Sequence, residues 1–236
     1  MKRVVKRLLQ RVGYDIQRMP SDPAIRERIR LLNDHGVTLI LDIGANEGQY
    51  AKVMRACGYT GRVVSFEPLP DAYAKLKASS APDPLWITVN SAVGDRDGVV
   101  TMNISQNSYS SSILNMLPRH LESAPDSRFV GKVGAPVCRV DTIFNQYCRA
   151  NDRVFLKIDT QGYDRKVIEG CSESLKRIVG FQLELSLAPL YEGETLMPEM
   201  VDLMRSYGYV LLHLEGGHRN YQTGELLQVE GIFYKN

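Results

Sequence analysis

The stretch VTLILDIGANEG, residues 37–48, decides the fold of this chain. Its apolar first half ends in a glycine turn, which is typical of a strand buried on both faces. Gly44 lets the chain turn sharply and lets the backbone approach a ligand, because no Cβ stands in the way. Gly48 permits close packing between helix and strand. The glycine spacing is G-x-N-x-G, which differs from the G-x-G-x-x-G that holds a dinucleotide pyrophosphate.

Outward from this stretch, apolar runs alternate with helical patterns, as expected for a parallel, doubly wound sheet. The last two apolar segments are separated by too few residues for a crossover helix, so they should pair antiparallel. We therefore predict a doubly wound α/β fold with a seven-stranded, mostly parallel sheet and an antiparallel C-terminal strand. The predicted strands are 37–44, 61–68, 85–94, 153–162, 178–187, 209–214 and 226–234, with a short strand at 98–103. The predicted helices are 23–33, 49–57, 71–78, 164–169 and 197–206.

The composition fits one compact domain. The chain has 236 residues, of which 44% are hydrophobic and 24% are charged. Its net charge of +2 argues against a whole-surface nucleic-acid binder. No segment approaches the roughly 18 apolar residues that span a membrane. We expect no nucleic-acid partner and no transmembrane segment.

The basic residues are concentrated at the start of the chain. Residues 1–30 hold nine basic and three acidic side chains, and residues 1–12 place apolar positions at helical spacing between lysines and arginines. We interpret residues 1–35 as a basic helical extension and residues 36–236 as the main domain. The first helix is interpreted in three ways: a cap packed on the domain, which we favour, a dimer or lid element, or a helix lying on a membrane surface.

The cysteines and histidines indicate a reduced, metal-free protein. The four cysteines contain no CxxC pair, and the histidines are not clustered as zinc ligands. Charge interrupts the N-terminal apolar positions, so no secretory signal is expected. We therefore predict reduced thiols and a cytoplasmic location.

Acidic and polar side chains follow the strands where an open α/β sheet binds its ligand. Asp42, before the first turn, suits a ligand that carries an ammonium group better than a phosphate. Glu67 ends the second strand, where a carboxylate can accept hydrogen bonds from both hydroxyls of a ribose. Together they disfavour a 2′-phosphorylated dinucleotide. Residues 90–92 end the third strand, where an adenine would lie. Each feature alone also fits an ordinary turn or a solvated strand end.

Two further regions are candidates for the same edge of the sheet. Asp159 ends the fourth buried strand, and Lys157 shares its sheet face, so the two form either a functional pair or a structural ion pair. The serine-rich loop 105–112, with Ser111 as its candidate residue, either lines the pocket or is a flexible surface loop.

An ordered set of segments resembles the FkbM-type family of S-adenosylmethionine-dependent methyltransferases. The segments are LDIGANEGQY, VVSFEP, NSAVGDRDG, NSYSSSIL, LKIDTQGYD, FQLELS and LQVEGIFY, which run from about residue 38 to residue 234. The resemblance implies a class I methyltransferase fold, S-adenosylmethionine as cofactor, and methylation of a hydroxyl on a sugar, polyketide or similar small molecule.

The resemblance also implies roles for individual residues. The methionine part of the cofactor would lie against Asp42, Gly44, Ala45 and Asn46. The ribose would lie on Glu67 with Pro68 fixing its turn, and the adenine near Ser91, Ala92 and Val93. Asp159 would lie near the transferring methyl and the cofactor's amino group. Asp164 fills the acidic position that the family carries after the glycine of the fourth-strand motif, whereas Glu230 stands where Asp is more frequent.

The acceptor hydroxyl must lose a proton, so a nearby base is expected to help. The candidates are Asp159, Glu184, His213 and His218. We favour Asp159 and Glu184, keep His218 as a loop residue that can reach a substrate, and regard His213 as a core histidine. Two carboxylates at adjacent strand ends could alternatively bind a divalent metal, but no third firm ligand is evident, so no metal is predicted. The rival functions are a nicotinamide-dependent oxidoreductase, which the glycine spacing disfavours, and a methyltransferase-like binding module without activity.

Overall fold

The computed structural model describes residues 22–235 as an α/β fold with two sheets. The helices are α1 (Pro23–Asp34), α2 (Gln49–Ala56), α3 (Pro70–Ser80), α4 (Pro118–Ser123), α5 (Val140–Tyr147), α6 (Asp164–Glu169) and α7 (Met197–Ser206). The strands are β1 (Leu39–Ile43), β2 (Arg62–Phe66), β3 (Trp86–Val89), β4 (Ala92–Gly94), β5 (Gly98–Ser105), β6 (Phe129–Arg139), β7 (Val154–Ile158), β8 (Ile178–Ser186), β9 (Tyr209–Gly216) and β10 (Gln228–Lys235).

The main sheet has seven strands in the order β3-β2-β1-β7-β8-β10-β9. Strand β10 runs antiparallel to both of its neighbours, whereas β1, β2, β3, β7 and β8 pair in parallel. The predicted doubly wound sheet is therefore confirmed. Strand order reverses between β1 and β7, which is where open sheets of this kind leave a crevice at the carboxyl ends of the strands.

The two central strands, β1 and β7, are buried on both faces, as their continuous apolar sequence predicts. One face packs against α5, α6 and α7, and its core includes Leu41 and Leu156. The other face packs against α1, α2 and α3, and its core includes Ile40 and Phe155. The sheet is thus fixed between two helical layers, so the residues at its carboxyl edge have a rigid base.

The prediction of one strand over residues 85–94 is wrong. The segment divides into β3, which ends the main sheet, and β4, which belongs to a second sheet of order β4-β6-β5. Strand β6 was missed because only two of its eleven residues are buried and because it contains two glycines and a proline, so it has no apolar run. The helices α4 and α5 that flank it have only six and eight residues, too few to show a clear period.

Helix α1 is confirmed as the second predicted helix. It begins at Asp22, whose carboxylate accepts a hydrogen bond from the backbone N–H of Ala24, and its Leu31 and Leu32 are buried in the core. The predicted helix over residues 1–12 lies outside the described residues. No helix within residues 22–235 is long and apolar enough to cross a bilayer. All four cysteines are free thiols, as predicted.

Candidate functional site

A cavity of about 270 Å³ opens at the carboxyl ends of β1, β2, β7 and β8. The loop between β5 and α4 and the first residues of β4 close its other side. The structure therefore brings most of the predicted site residues to one place. Those that line the cavity are Gly44, Asn46, Glu67, Pro68, Ser91, Ala92, Val93, Ser111, Asp159 and Glu184.

Backbone strain is concentrated in this cavity. Among the residues described, three that are not glycine have a positive φ, namely Asn46 at 46°, Ser108 at 62° and Gln161 at 55°, and all three line the cavity. The Asn46 side-chain amide donates to the Ser108 hydroxyl at 3.2 Å, which ties the glycine turn to the serine-rich loop. Residues in such backbone conformations cluster at active sites and ligand-binding sites, where the surrounding structure holds them in place.

Glu67 is a buried carboxylate held by two backbone donors. Its Oε2 accepts from the N–H of Asn46 and its Oε1 from the N–H of Leu69, both at 2.8 Å. The residue is only 4% exposed, and this burial raises the pKa of its carboxyl to about 7. Each oxygen keeps a free acceptor position, because a carboxylate oxygen accepts two hydrogen bonds. The side chain therefore presents two fixed acceptors to the cavity.

Asp42 does not line the cavity. It lies fully buried beneath the glycine turn, where it accepts a hydrogen bond from the Ser65 hydroxyl at 2.9 Å. Its Oδ1 is 3.7 Å from the Lys157 ammonium, and burial raises the pKa of its carboxyl. The expected contact between Asp42 and a ligand is therefore not part of this geometry. Instead, Asp42 helps to hold Lys157 in place.

The Asp159 and Glu184 carboxylates meet at the ends of β7 and β8. The Lys157 ammonium lies 3.1 Å from Asp159 Oδ2, which confirms the predicted pairing. The Gln161 side-chain N–H₂ donates to Asp159 Oδ1 at 2.7 Å and to Glu184 Oε2 at 3.0 Å. Burial, followed by the charge of Asp159, raises the pKa of the Glu184 carboxyl well above its ordinary value. Ionisation of Glu184 is thus disfavoured by its burial and by its acidic neighbour.

A second cavity of about 210 Å³ adjoins the first and shares Gly44, Asn46, Tyr109 and Asp159 with it. It is lined by two cationic side chains, Arg28 and Lys157, and by the carboxylates of Asp159 and Glu230. The remaining lining residues are Ala45, Gln49, Tyr50 and Gln182. In the described part of the chain, the Tyr50 hydroxyl and Gln182 Oε1 are buried without a hydrogen-bond partner. Such atoms are normally satisfied by a ligand or by water.

The two histidine candidates lie away from both cavities. His213 is half-buried on the edge strand β9, with its Nε2 3.8 Å from Glu215 Oε1, so it is not the core histidine that was expected. His218 stacks on His120, and its Nε2 is 2.8 Å from the Ser123 hydroxyl. Partial burial lowers the pKa of the His218 imidazole. The structure therefore brings neither imidazole ring to the carboxylates of Asp159 and Glu184.

The sequence model of the methyltransferase FkbM domain matches residues 42–211. The chain belongs to this FkbM methyltransferase family. Its match to the family runs from the end of β1 to the start of β9, and so includes every residue that lines the first cavity. The resemblance of the sequence motifs is confirmed.

This chain is similar to one curated relative in sequence and to two solved structures in fold. The 2-O-methyltransferase NoeI of Sinorhizobium fredii is 25% identical over 209 residues, which cover 86% of this chain and 85% of that protein. The structure of TrmK from M. capricolum, in complex with S-adenosylhomocysteine, has a TM-score of 0.49 at 9% identity over 91% of this chain and 69% of that one. An rRNA methylase from Streptococcus thermophilus has a TM-score of 0.46 at 10% identity over 92% and 98%. Neither structural likeness bears on the acceptor.

Several residues of this FkbM methyltransferase site were missed by sequence reasoning. In the first cavity they include Met102, Tyr109, Ile113, Gln161 and Tyr163. In the second they include Arg28, Gln49, Tyr50 and Gln182. A partial signal existed for Gln182, because an amide in the apolar strand FQLELSL needs a partner. No signal pointed to Arg28, since it lies far from the motifs in sequence.

Asp164 at the start of α6 makes the stability of the fold depend on pH. Burial, followed by the charge of Asp159, raises the pKa of its carboxyl to about 7, while its Oδ1 accepts from the N–H of Thr160. Because the folded chain binds this proton more tightly than the unfolded chain, stability is lost as pH rises from the ordinary pKa through about 7.

Asp164→Asn should remove this loss, because the amide stays neutral and its oxygen still accepts from Thr160. We expect the variant to gain stability relative to the wild type by roughly 2 to 4 kcal/mol between about pH 4 and pH 8. Urea unfolding at both pH values measures the difference, with the exposed Asp71→Asn as control. Parallel pH curves for wild type and Asp164→Asn would contradict this role.

Proposed function

We propose that this chain transfers the methyl group of S-adenosylmethionine to a hydroxyl of a small molecule. The observation that carries the proposal is the buried Glu67 carboxylate, which presents two acceptor positions beside a strained glycine turn. Family membership supports the methyl transfer, and similarity to the 2-O-methyltransferase NoeI supports a hydroxyl as acceptor.

The first cavity fits the adenosine end of this cofactor. The free acceptor positions of Glu67 match a ribose diol, which offers two O–H donors. Next to Glu67, the cavity wall is formed by Ala92, Val93, Met102 and Ile113, which together make an apolar slot for a flat base. A polar sugar and an apolar ring are thus matched by neighbouring parts of one wall.

The second cavity fits the amino-acid end. A zwitterion carries one carboxylate and one ammonium group, and this cavity offers Arg28 and Lys157 as well as Asp159 and Glu230. The unpartnered Tyr50 hydroxyl provides a further polar contact. The two cavities meet at Gly44, Asn46 and Asp159, where one elongated ligand can occupy both.

The reaction needs alignment and a proton acceptor. When bound, the cofactor supplies a methyl group on a sulfonium, ready for in-line displacement. Asp159, paired with Lys157, lies between the two cavities and can bind the cationic part of the ligand. Glu184 lines the first cavity beside Asp159, and its raised pKa makes its carboxylate suited to take the hydroxyl proton. We assign the proton transfer to Glu184.

Glu67→Gln tests the cofactor site. The amide can accept through only one atom, so one backbone N–H loses its partner and one ribose hydroxyl meets a donor. We expect the Kd for S-adenosylhomocysteine, measured by isothermal titration calorimetry, to rise about 10- to 100-fold. Glu47→Gln is the matched control, because the Glu47 side chain bonds to Lys75 outside the cavity. An unchanged Kd for Glu67→Gln would remove Glu67 from the site.

The acceptor class is tested by labelled methyl transfer. Purified protein is incubated with methyl-labelled S-adenosylmethionine and with separated small-molecule, protein and RNA fractions of a cell extract. We expect label in the small-molecule fraction, in a product that resists mild base treatment as a methyl ether does. Label in RNA or protein would contradict the proposed acceptor, and binding of NADH without binding of S-adenosylhomocysteine would contradict the proposed cofactor.

A further inference from the structure

A chain of partly buried hydrogen bonds ends on the two carboxylates Asp159 and Glu184, and none of its other members has a role in the function described above. The chain runs from Tyr191 through Gln161 to Asp159 and Glu184. The Tyr191 hydroxyl donates to Gln161 Oε1 at 2.8 Å, and the Gln161 amide donates to both carboxylates. One neutral amide therefore joins two acidic groups.

With both carboxylates ionised, the hydrogen-bond partners favour one orientation of the Gln161 amide. With its N–H₂ toward the carboxylates and its oxygen toward Tyr191, every polar atom has a suitable partner. The reverse orientation would turn the amide oxygen toward two carboxylates that also only accept when ionised. The Tyr191 hydroxyl has a single hydrogen and two acceptors within reach, Gln161 Oε1 at 2.8 Å and the Ser110 carbonyl at 3.1 Å, and the contact with Gln161 is the shorter.

The surrounding structure holds this amide firmly. Gln161 has a φ of 55°, and its backbone carbonyl accepts from the Ser112 hydroxyl at 2.7 Å. Tyr191 is fully buried, and its backbone N–H donates to the Glu194 carboxylate, which also accepts from the Ser186 hydroxyl. The loop after β8 is thus fastened to the strand that carries Glu184.

The charged surroundings make Glu184 depend on this amide. The charges that face it come from Lys157 on β7, Asp159 directly after β7, Glu230 on β10 and Asp164 on α6, so three of the four are acidic. Among the residues described, the Gln161 amide is the hydrogen-bond donor to the Glu184 carboxylate. A buried carboxylate with acidic neighbours and no donor would be poorly placed to act as a base.

We propose that Gln161 is a positioning residue that holds the Glu184 carboxylate toward the acceptor hydroxyl, and that Tyr191 fixes the amide that does so. The inference rests on the proposed function, because it takes Glu184 as the group that accepts the proton. The hydrogen bonds themselves can be measured in the cofactor-free protein. A result that contradicts them is therefore distinguishable from a failure of methyl transfer.

The test is a pH titration of the Glu184 side-chain carboxyl by ¹³C NMR, assigned with Glu184→Gln. We expect Gln161→Leu to raise the titration midpoint by roughly one to two pH units, since the ionised form loses its donor. Tyr191→Phe, which removes a single oxygen and conserves the ring, should give a smaller rise. Gln228→Leu is the matched control, because this buried amide bonds to Ser186 and to neither carboxylate.

Two further readouts complete the test. In wild type the Gln161 side-chain amide protons should exchange slowly with solvent, and Tyr191→Phe should speed that exchange. With the acceptor found by labelled transfer, Gln161→Leu should lower kcat roughly 10- to 100-fold at a similar KM. A Glu184 midpoint equal to wild type in Gln161→Leu, together with a wild-type Gln161 amide exchange rate in Tyr191→Phe, would overturn the proposal. An equal effect of Gln228→Leu would also overturn it.

Discussion

Glu184→Gln is expected to lower kcat for methyl transfer by about 100- to 10,000-fold, the contribution typical of a positioned base. The amide conserves the shape and removes only the ability to accept the proton. Cofactor affinity should stay within about threefold of wild type, because Glu184 lines the cavity beyond the Glu67 and Asp159 contacts. Two measurements check this prediction: kcat with the identified acceptor, and the Kd for S-adenosylhomocysteine.

The matched control for this variant is Glu192→Gln, an exposed residue of the loop after β8 that bonds to Asn115. It should keep the wild-type kcat. The pH profile adds a second criterion: the acidic limb that reports ionisation of Glu184 should disappear in Glu184→Gln. If Glu184→Gln conserves both kcat and that limb, another group takes the proton, and Asp159 becomes the remaining carboxylate candidate.

Gly44→Ala is expected to destabilise the fold by about 3 to 5 kcal/mol, a large part of the total stability of a domain. A Cβ at this position would lie 1.9 Å from the backbone oxygen of Asp159, which is far inside any allowed contact. The backbone also has a φ of 76°, in the left-handed region that favours glycine. Relief would require β1 and β7 to separate at the switch point.

Gly224→Ala separates the steric cost from the conformational cost. Gly224 has a nearly identical φ of 78°, but a Cβ there would meet no atom within 4 Å. This control should therefore lose only about 1 to 2 kcal/mol. Urea unfolding of both variants gives the difference. A Gly44→Ala loss no larger than that of Gly224→Ala would show that the turn at Gly44 is not closed against Asp159.

The strands of the main sheet were predictable because each is a short apolar run bounded by turn residues. Strands β1 and β7 are buried on both faces, so their sequences are nearly continuous runs of apolar residues. The second sheet was not predictable in this way. Strand β6 has only two buried residues, so its pairing with β5 follows from tertiary contacts rather than from a hydrophobic pattern.

The site shows the same division. Gly44, Glu67 and Asp159 were found because they end strands, and parallel strands bring their carboxyl ends to one edge. The distinction between lining the cavity and lying beneath it was not available from the sequence. Asp42 and Glu67 both belong to strand ends, yet Asp42 is enclosed under the turn while Glu67 faces the cavity.

The motif at residues 37–48, with the strand ends that follow it, determined by itself the class of fold and the edge at which a ligand would bind. These depend on local turn chemistry and on the order of apolar runs. Only the tertiary structure decided that Arg28 reaches the second cavity, that one amide joins Asp159 and Glu184, and that Tyr191 orients that amide. The reason is that Arg28, Glu184 and Tyr191 are distant in sequence from the residues they meet, so packing rather than a local pattern sets these contacts.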